Sequence, residues 1–68
     1  MQEVIFVVEE APEGGYTARA LDVSIFTEAD GLPALRESVR DAVRCHFEAD
    51  ALPKVIRLHF VHDEVMSA

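Results

Sequence analysis

Val4-Ile5-Phe6-Val7-Val8 is an unbroken apolar run rich in β-branched side chains. Such a run predicts a short strand buried on both faces. It leads into Glu9-Glu10-Ala11-Pro12-Glu13-Gly14-Gly15, where Pro12 and the glycine pair punctuate a turn. Glycine there supplies positive φ without steric penalty. Beyond the turn, Tyr16, Ala18 and Ala20 share one face of an extended segment, and Thr17, Arg19 and Leu21 share the other. Two strands joined by a glycine-containing loop read as a β-hairpin. Asp22 and Ser24 mark a bend. A third strand is expected over residues 24–28, with Ile25 on one face and Phe26 on the other.

Asp30-Gly31 closes that strand. Gly31 fits an N-cap position, and Pro33 falls in the first helical turn, where no intrahelical N–H is lost. From Leu32 to about Ala51 apolar residues recur at steps of three and four: Leu35, Val39, Ala42, Val43, His46 and Phe47 extend the stripe. Pro53 is the expected stop. Val55–His62 alternates, with Ile56, Leu58 and Phe60 on one face and Arg57, His59 and Val61 on the other. Asp63–Ala68 reads as a frayed tail. The expected fold class is α+β in the order β-β-β-α-β: an antiparallel meander, one helix on one sheet face, and a fourth strand returning to the sheet. One helix cannot cover both faces of four strands. An apolar patch is therefore expected on the open face, where such patches mark interfaces.

The chain has 68 residues, enough for one domain over 1–68. Folding at this size buries only roughly 60% of the surface of the extended chain. Disulfides, a structural metal or association normally make up the difference. The single Cys45 excludes an intrachain disulfide, and one Cys with three His excludes the usual zinc-finger spacings. Association remains, and a 50% hydrophobic composition favours it. With no Asn, one Gln and one Cys, the chain is poor in heat-labile side chains, as thermophile proteins are.

Six basic residues against thirteen acidic ones give a net charge of −7. That sign opposes direct binding to nucleic acid or to an anionic membrane, and suits a basic protein partner. No apolar run approaches a membrane span, and Met1-Gln2-Glu3 lacks a signal-peptide pattern, so a cytoplasmic protein is expected.

The residues argue against catalysis and against a cofactor. Two-metal phosphoryl transfer needs clustered carboxylates, yet the run 4–8 contains none. His59 and His62 stand three apart, on opposite faces of a strand, and so do not share a metal ion. Adjacent Cys45 and His46 diverge by about 100° on a helix. His46 reads as a core-edge residue. Arg36, Arg40 and Arg44 form a basic stripe at four-residue spacing; Glu37, Asp41 and Glu48 stand close enough to pair with it, and the alternative is a contact with another chain.

The hairpin Glu13-Gly14-Gly15-Tyr16-Thr17-Ala18-Arg19-Ala20, together with Leu35-Arg36-Glu37-Ser38-Val39-Arg40-Asp41-Ala42-Val43, resembles the HicB-like antitoxin domain. The resemblance runs from about Val4 to about Phe60. Two stretches depart from the family pattern: Leu21-Asp22-Val23-Ser24 between the second and third strands, and Ala29-Asp30-Gly31-Leu32-Pro33 at the helix start. The resemblance implies a reduced ribonuclease-H-like core, assembly into dimers or tetramers, and masking of a small basic RNA-cleaving HicA-like toxin. No DNA-binding segment is expected after Phe60. On this reading Glu9, Glu10, Glu13 and Asp22 supply charge to the partner, while Tyr16, Arg36, Arg40 and Arg44 lie at contacts with a second copy or the partner. The other reading is a stand-alone homo-oligomer with no toxin.

Overall fold

The computed structural model describes residues 2–68. Strand β1 (Glu3–Glu10) and strand β2 (Tyr16–Ala20) form the hairpin, strand β3 (Phe26–Ala29) follows, helix α1 (Leu32–His46) crosses the sheet, and strand β4 (Val55–Val61) returns. The sheet order is β3-β2-β1-β4, with both hairpin pairings antiparallel and β4 parallel to β1. The fold is α+β in the expected order.

β1 is central and its alternation sets the layers. Val4, Phe6 and Val8 are fully buried beneath α1, which contributes Leu35, Val39 and Val43. Ala20 and Ala18 stand opposite Phe6 and Val8. Their small side chains let the helix settle over β2 and β3, where it makes its main sheet contacts. The helix therefore lies off-centre. On β4, Ile56 and Leu58 are only half-buried and Phe60 is 49% exposed, although all three point to the helix side.

The helix starts as its sequence dictates. Gly31 is the extended N-cap, Pro33 sits in the first turn, and the Leu35 N–H donates to the Gly31 carbonyl at 2.9 Å. Its end departs from the expected Ala51. Phe47 turns extended (φ −102°, ψ 148°), its N–H closing on the Val43 carbonyl, and its ring packs against the core. Burying that ring competes with one more helical turn and ends the helix before Pro53 can act. Only a three-residue 3₁₀ turn, Ala49–Ala51, follows. His46 is accordingly exposed rather than at the core edge, its ring edge-on to Phe47 with centroids 4.9 Å apart.

β3 also begins later than expected, at Phe26 rather than Ser24. The Ile25 N–H is taken by the Val23 carbonyl at 3.0 Å, a tight turn that keeps that amide out of the ladder. Ile25 is buried and Phe26 exposed, as the alternation indicated.

The open face keeps part of the expected apolar character in the exposed Phe26, Val55 and Val61, but its centre is covered. Ile5 and Val7 are half-buried, with no helix above them among the described residues. Their cross-strand neighbours are Arg57, Arg19 and His59, whose long side chains can cover apolar surface with their stems. Across this face the Arg57 guanidinium donates to the Glu3 carboxylate at 2.9 Å, joining β1 to β4. That hydrogen bond, with the attraction of the charge, holds the Glu3 carboxyl below the ordinary glutamate range despite some opposing desolvation. A carboxyl with a depressed folded-state pKa stabilises the fold above its unfolded pKa, and that contribution fades as pH falls through the folded value. Glu3→Gln is therefore expected to narrow the difference between thermal midpoints measured at neutral and at acidic pH. An unchanged difference would remove Glu3 from the acid response. The effect is small, because the pair is solvent-accessible.

No helix among the described residues is long and apolar enough to cross a membrane.

Candidate functional site: an acidic sheet end

The hairpin turn is closed by the Gly14 N–H donating to the Ala11 carbonyl and the Ala11 N–H donating to the Gly15 carbonyl, both at 3.0 Å. Gly14 and Gly15 hold φ of 102° and 82°. Glu9 and Glu10 stand opposite Thr17 and Tyr16 at the top of the β1–β2 ladder, with Glu13 in the turn above. The three acidic residues singled out from this part of the sequence are thus brought together.

Asp22 is not with them. An antiparallel return carries β2 back along β1, and the Leu21 N–H donates to the Ile5 carbonyl at 3.0 Å. Asp22 therefore lies at the opposite end of the sheet. Three other carboxylates take its place. Glu28 stands opposite Thr17, in the same row as Glu9. Asp30 shares a shallow hollow with Glu13 and Tyr16, and Asp63 shares another with Glu9, Glu10 and His62. Neither hollow has a Lys or Arg in its wall among the described residues. The signal for Glu28 lies in the hairpin register, which places the end of the third strand beside the start of the second. Asp63 depended on the direction of β4, which no local pattern encodes.

The His62 Nδ1 lies 3.9 Å from a Glu10 carboxylate oxygen. Among the described residues no group of three or more His, Cys, Asp or Glu side chains could hold a metal ion. His59 lies on the open face opposite Val7, apart from His62 beyond the strand end. Tyr16 is half-buried and packs against the core, its edge reaching the hollow beside Asp30. Cys45 is exposed on the helix.

The arginine stripe lies elsewhere. Each of Arg36, Arg40 and Arg44 follows a buried residue of α1 by one position, so the stripe runs along the flank of the helix that faces β4. Arg40 pairs with Glu37 at 2.7 Å and Arg44 with Asp41 at 3.2 Å, both well exposed. Carboxylates thus crowd the hairpin end, while two of the three arginines along the groove between α1 and β4 carry carboxylate partners of their own.

The chain is similar to two curated proteins, each described as a UPF0150 protein. One, from Archaeoglobus fulgidus, is 60% identical over 52 residues, covering 76% of this chain and 77% of that protein. The other, from Thermotoga maritima, is 40% identical over 62 residues, covering 91% and 87%. Both sources are thermophiles, in keeping with the scarcity of Asn, Gln and Cys. No family model matches the chain. No solved structure matches it.

Proposed function

We propose that the chain, which belongs to the UPF0150 family, is a small protein-binding domain of the HicB-like antitoxin type, not an enzyme, that self-associates and masks a basic RNA-cleaving partner. The observation that carries this reading is the acidic sheet end. Glu9, Glu10, Glu13, Glu28 and Asp30 converge there with no Lys or Arg in the walls of the hollows they line. A surface of one sign steers an oppositely charged partner into encounter and disfavours nucleic acid. The partner's RNA-binding surface carries the complementary charge, so one contact both holds it and occludes it. The work is steric and electrostatic, without a chemical step.

Native mass spectrometry of the protein purified from its own cells tests the reading. A stoichiometric small basic protein supports it. Recovery of self-complexes alone sinks it in favour of a stand-alone homo-oligomer, the reading that the exposed edge of β4 favours. With the partner in hand, Glu9→Lys combined with Glu10→Lys is expected to slow association about tenfold at low salt and less at physiological salt. An unchanged on-rate removes the acidic end from the contact.

A further inference from the structure

Eight large hydrophobic side chains are exposed among the described residues. Six of them, Leu52, Val55, Phe60, Val61, Val65 and Met66, lie along β4 and its flanks. β4 ends the sheet, its inner edge paired with β1 and its outer edge without a neighbouring strand among the described residues. Sheet edges are normally protected by bulges, charges, proline or short length. Val55–Val61 has neither proline nor lysine, and its one arginine, Arg57, is engaged by Glu3 on the open face. Residues 62–68 continue from the strand without secondary structure, leaving Val65 95% and Met66 77% exposed. The radius of gyration is 13.3 Å, above the roughly 11 Å of a compact chain of this length.

Beside this edge runs the groove left by the off-centre helix. Val39, Val43, Ile56 and Leu58 line it, and the Arg36–Arg40–Arg44 stripe borders it. The residues that follow β4 are complementary to it: Asp63-Glu64, then Val65-Met66.

We infer that the β4 edge and this groove form the contact between two copies of the chain, with β4 pairing antiparallel to its counterpart and each 63–66 segment lying in the other copy's groove. The inference rests on the self-association in the reading above and names its surface. A two-fold axis beside an edge strand pairs that strand antiparallel with itself. The chain leaving one β4 then runs past Leu52–Ile56 of the other copy, where the groove is walled by Arg40 and Arg44. Carboxylates there meet arginines, and Val65 and Met66 meet the apolar floor. Two chains of net charge −7 repel each other at large; at the contact Arg40 and Arg44 offset this by exchanging their exposed pairs with Glu37 and Asp41 for the carboxylates of the other copy. A stable dimer takes about 800 Å² from each copy, roughly a sixth of the 5093 Å² this chain exposes.

Sedimentation equilibrium of the intact chain tests this. A dimer is expected. Val65→Asp with Met66→Asp, placed outside the secondary structure, is expected to leave the circular dichroism unchanged and to raise the dimer dissociation constant at least tenfold. Arg40→Glu is expected to weaken the dimer likewise, and Glu64→Arg added to it to restore affinity to within about threefold. A dimer indifferent to these changes, or a double variant that shows no recovery, overturns the inference and leaves self-association standing. A monomer at every concentration overturns both. Protection of β4 amides from hydrogen exchange only in the presence of a different protein assigns the edge to that protein and also overturns the inference.

Discussion

Phe6→Ala is expected to lower the thermal midpoint by about 12–40 °C, the equivalent of losing roughly 3–5 kcal/mol from a domain of this size. Phe6 is fully buried in the central strand, with Ala20 opposite it on one side and Leu58 on the other. Neither neighbour can close the space. Ala20 is already small, and Leu58 belongs to a strand held in register along its whole length. A chain of 68 residues has on the order of 3–10 kcal/mol of stability, so one ring accounts for a large share of it. Phe26→Ala is the control. Its ring is 62% exposed on the open face, and its removal is expected to change stability by less than about 1 kcal/mol. Thermal melts followed by circular dichroism compare the two. Equal shifts would mean that the core is not where the alternation of β1 puts it.

Gly15→Ala is expected to cost about 2–4 kcal/mol, from a left-handed backbone penalty and a steric clash acting together. Gly15 holds φ at +82°, and a Cβ there would stand 2.8 Å from the Ala29 carbonyl oxygen. That oxygen belongs to the backbone of β3, in register with Tyr16, and moves only if the β2–β3 pairing moves. Gly14→Ala separates the two causes. Its φ is +102°, but a Cβ there meets nothing within 4 Å. It is expected to lose only the backbone part, about 1–2 kcal/mol. Denaturant unfolding of both variants reads the difference. If Gly14→Ala proves the more damaging, close approach to β3 is not what requires glycine at position 15.

Much of the fold was legible because the informative residues act locally. The apolar run 4–8 announced a buried strand, the glycine pair a hairpin, and Gly31 with Pro33 a helix start. Where the reading slipped, a tertiary contact overrode a local pattern. His46 and Phe47 continue the helical period, yet Phe47 gains more by turning its ring into the core. Ile5 and Val7 read as an uncovered patch, yet their neighbours across the open face include two arginines. The candidate site was half legible. Glu9, Glu10 and Glu13 are near in sequence and stay near in space. Asp22 was lost, and Glu28, Asp30 and Asp63 were missed, because strand direction and register bring distant residues to one end of a sheet. The off-centre seat of α1 was equally hidden, since it follows from the smallness of Ala18 and Ala20 on a different element.

The carbonyl of Gln2 accepts hydrogen bonds from the N–H groups of both Lys54 and Val55, at 3.0 and 3.1 Å, and from there β1 and β4 run side by side. Of the four strands the earliest made is therefore the central one, while its parallel neighbour is the last of the four. Until some fifty residues of intervening chain have emerged, one edge of β1 has nothing to pair with, and Val4–Val8 is the most apolar stretch of the nascent protein. Closing so long a loop is a slow step, and contacts this distant in sequence lower the folding rate of small domains. The same pairing that makes β1 central in the finished sheet makes it the segment most in need of protection during synthesis.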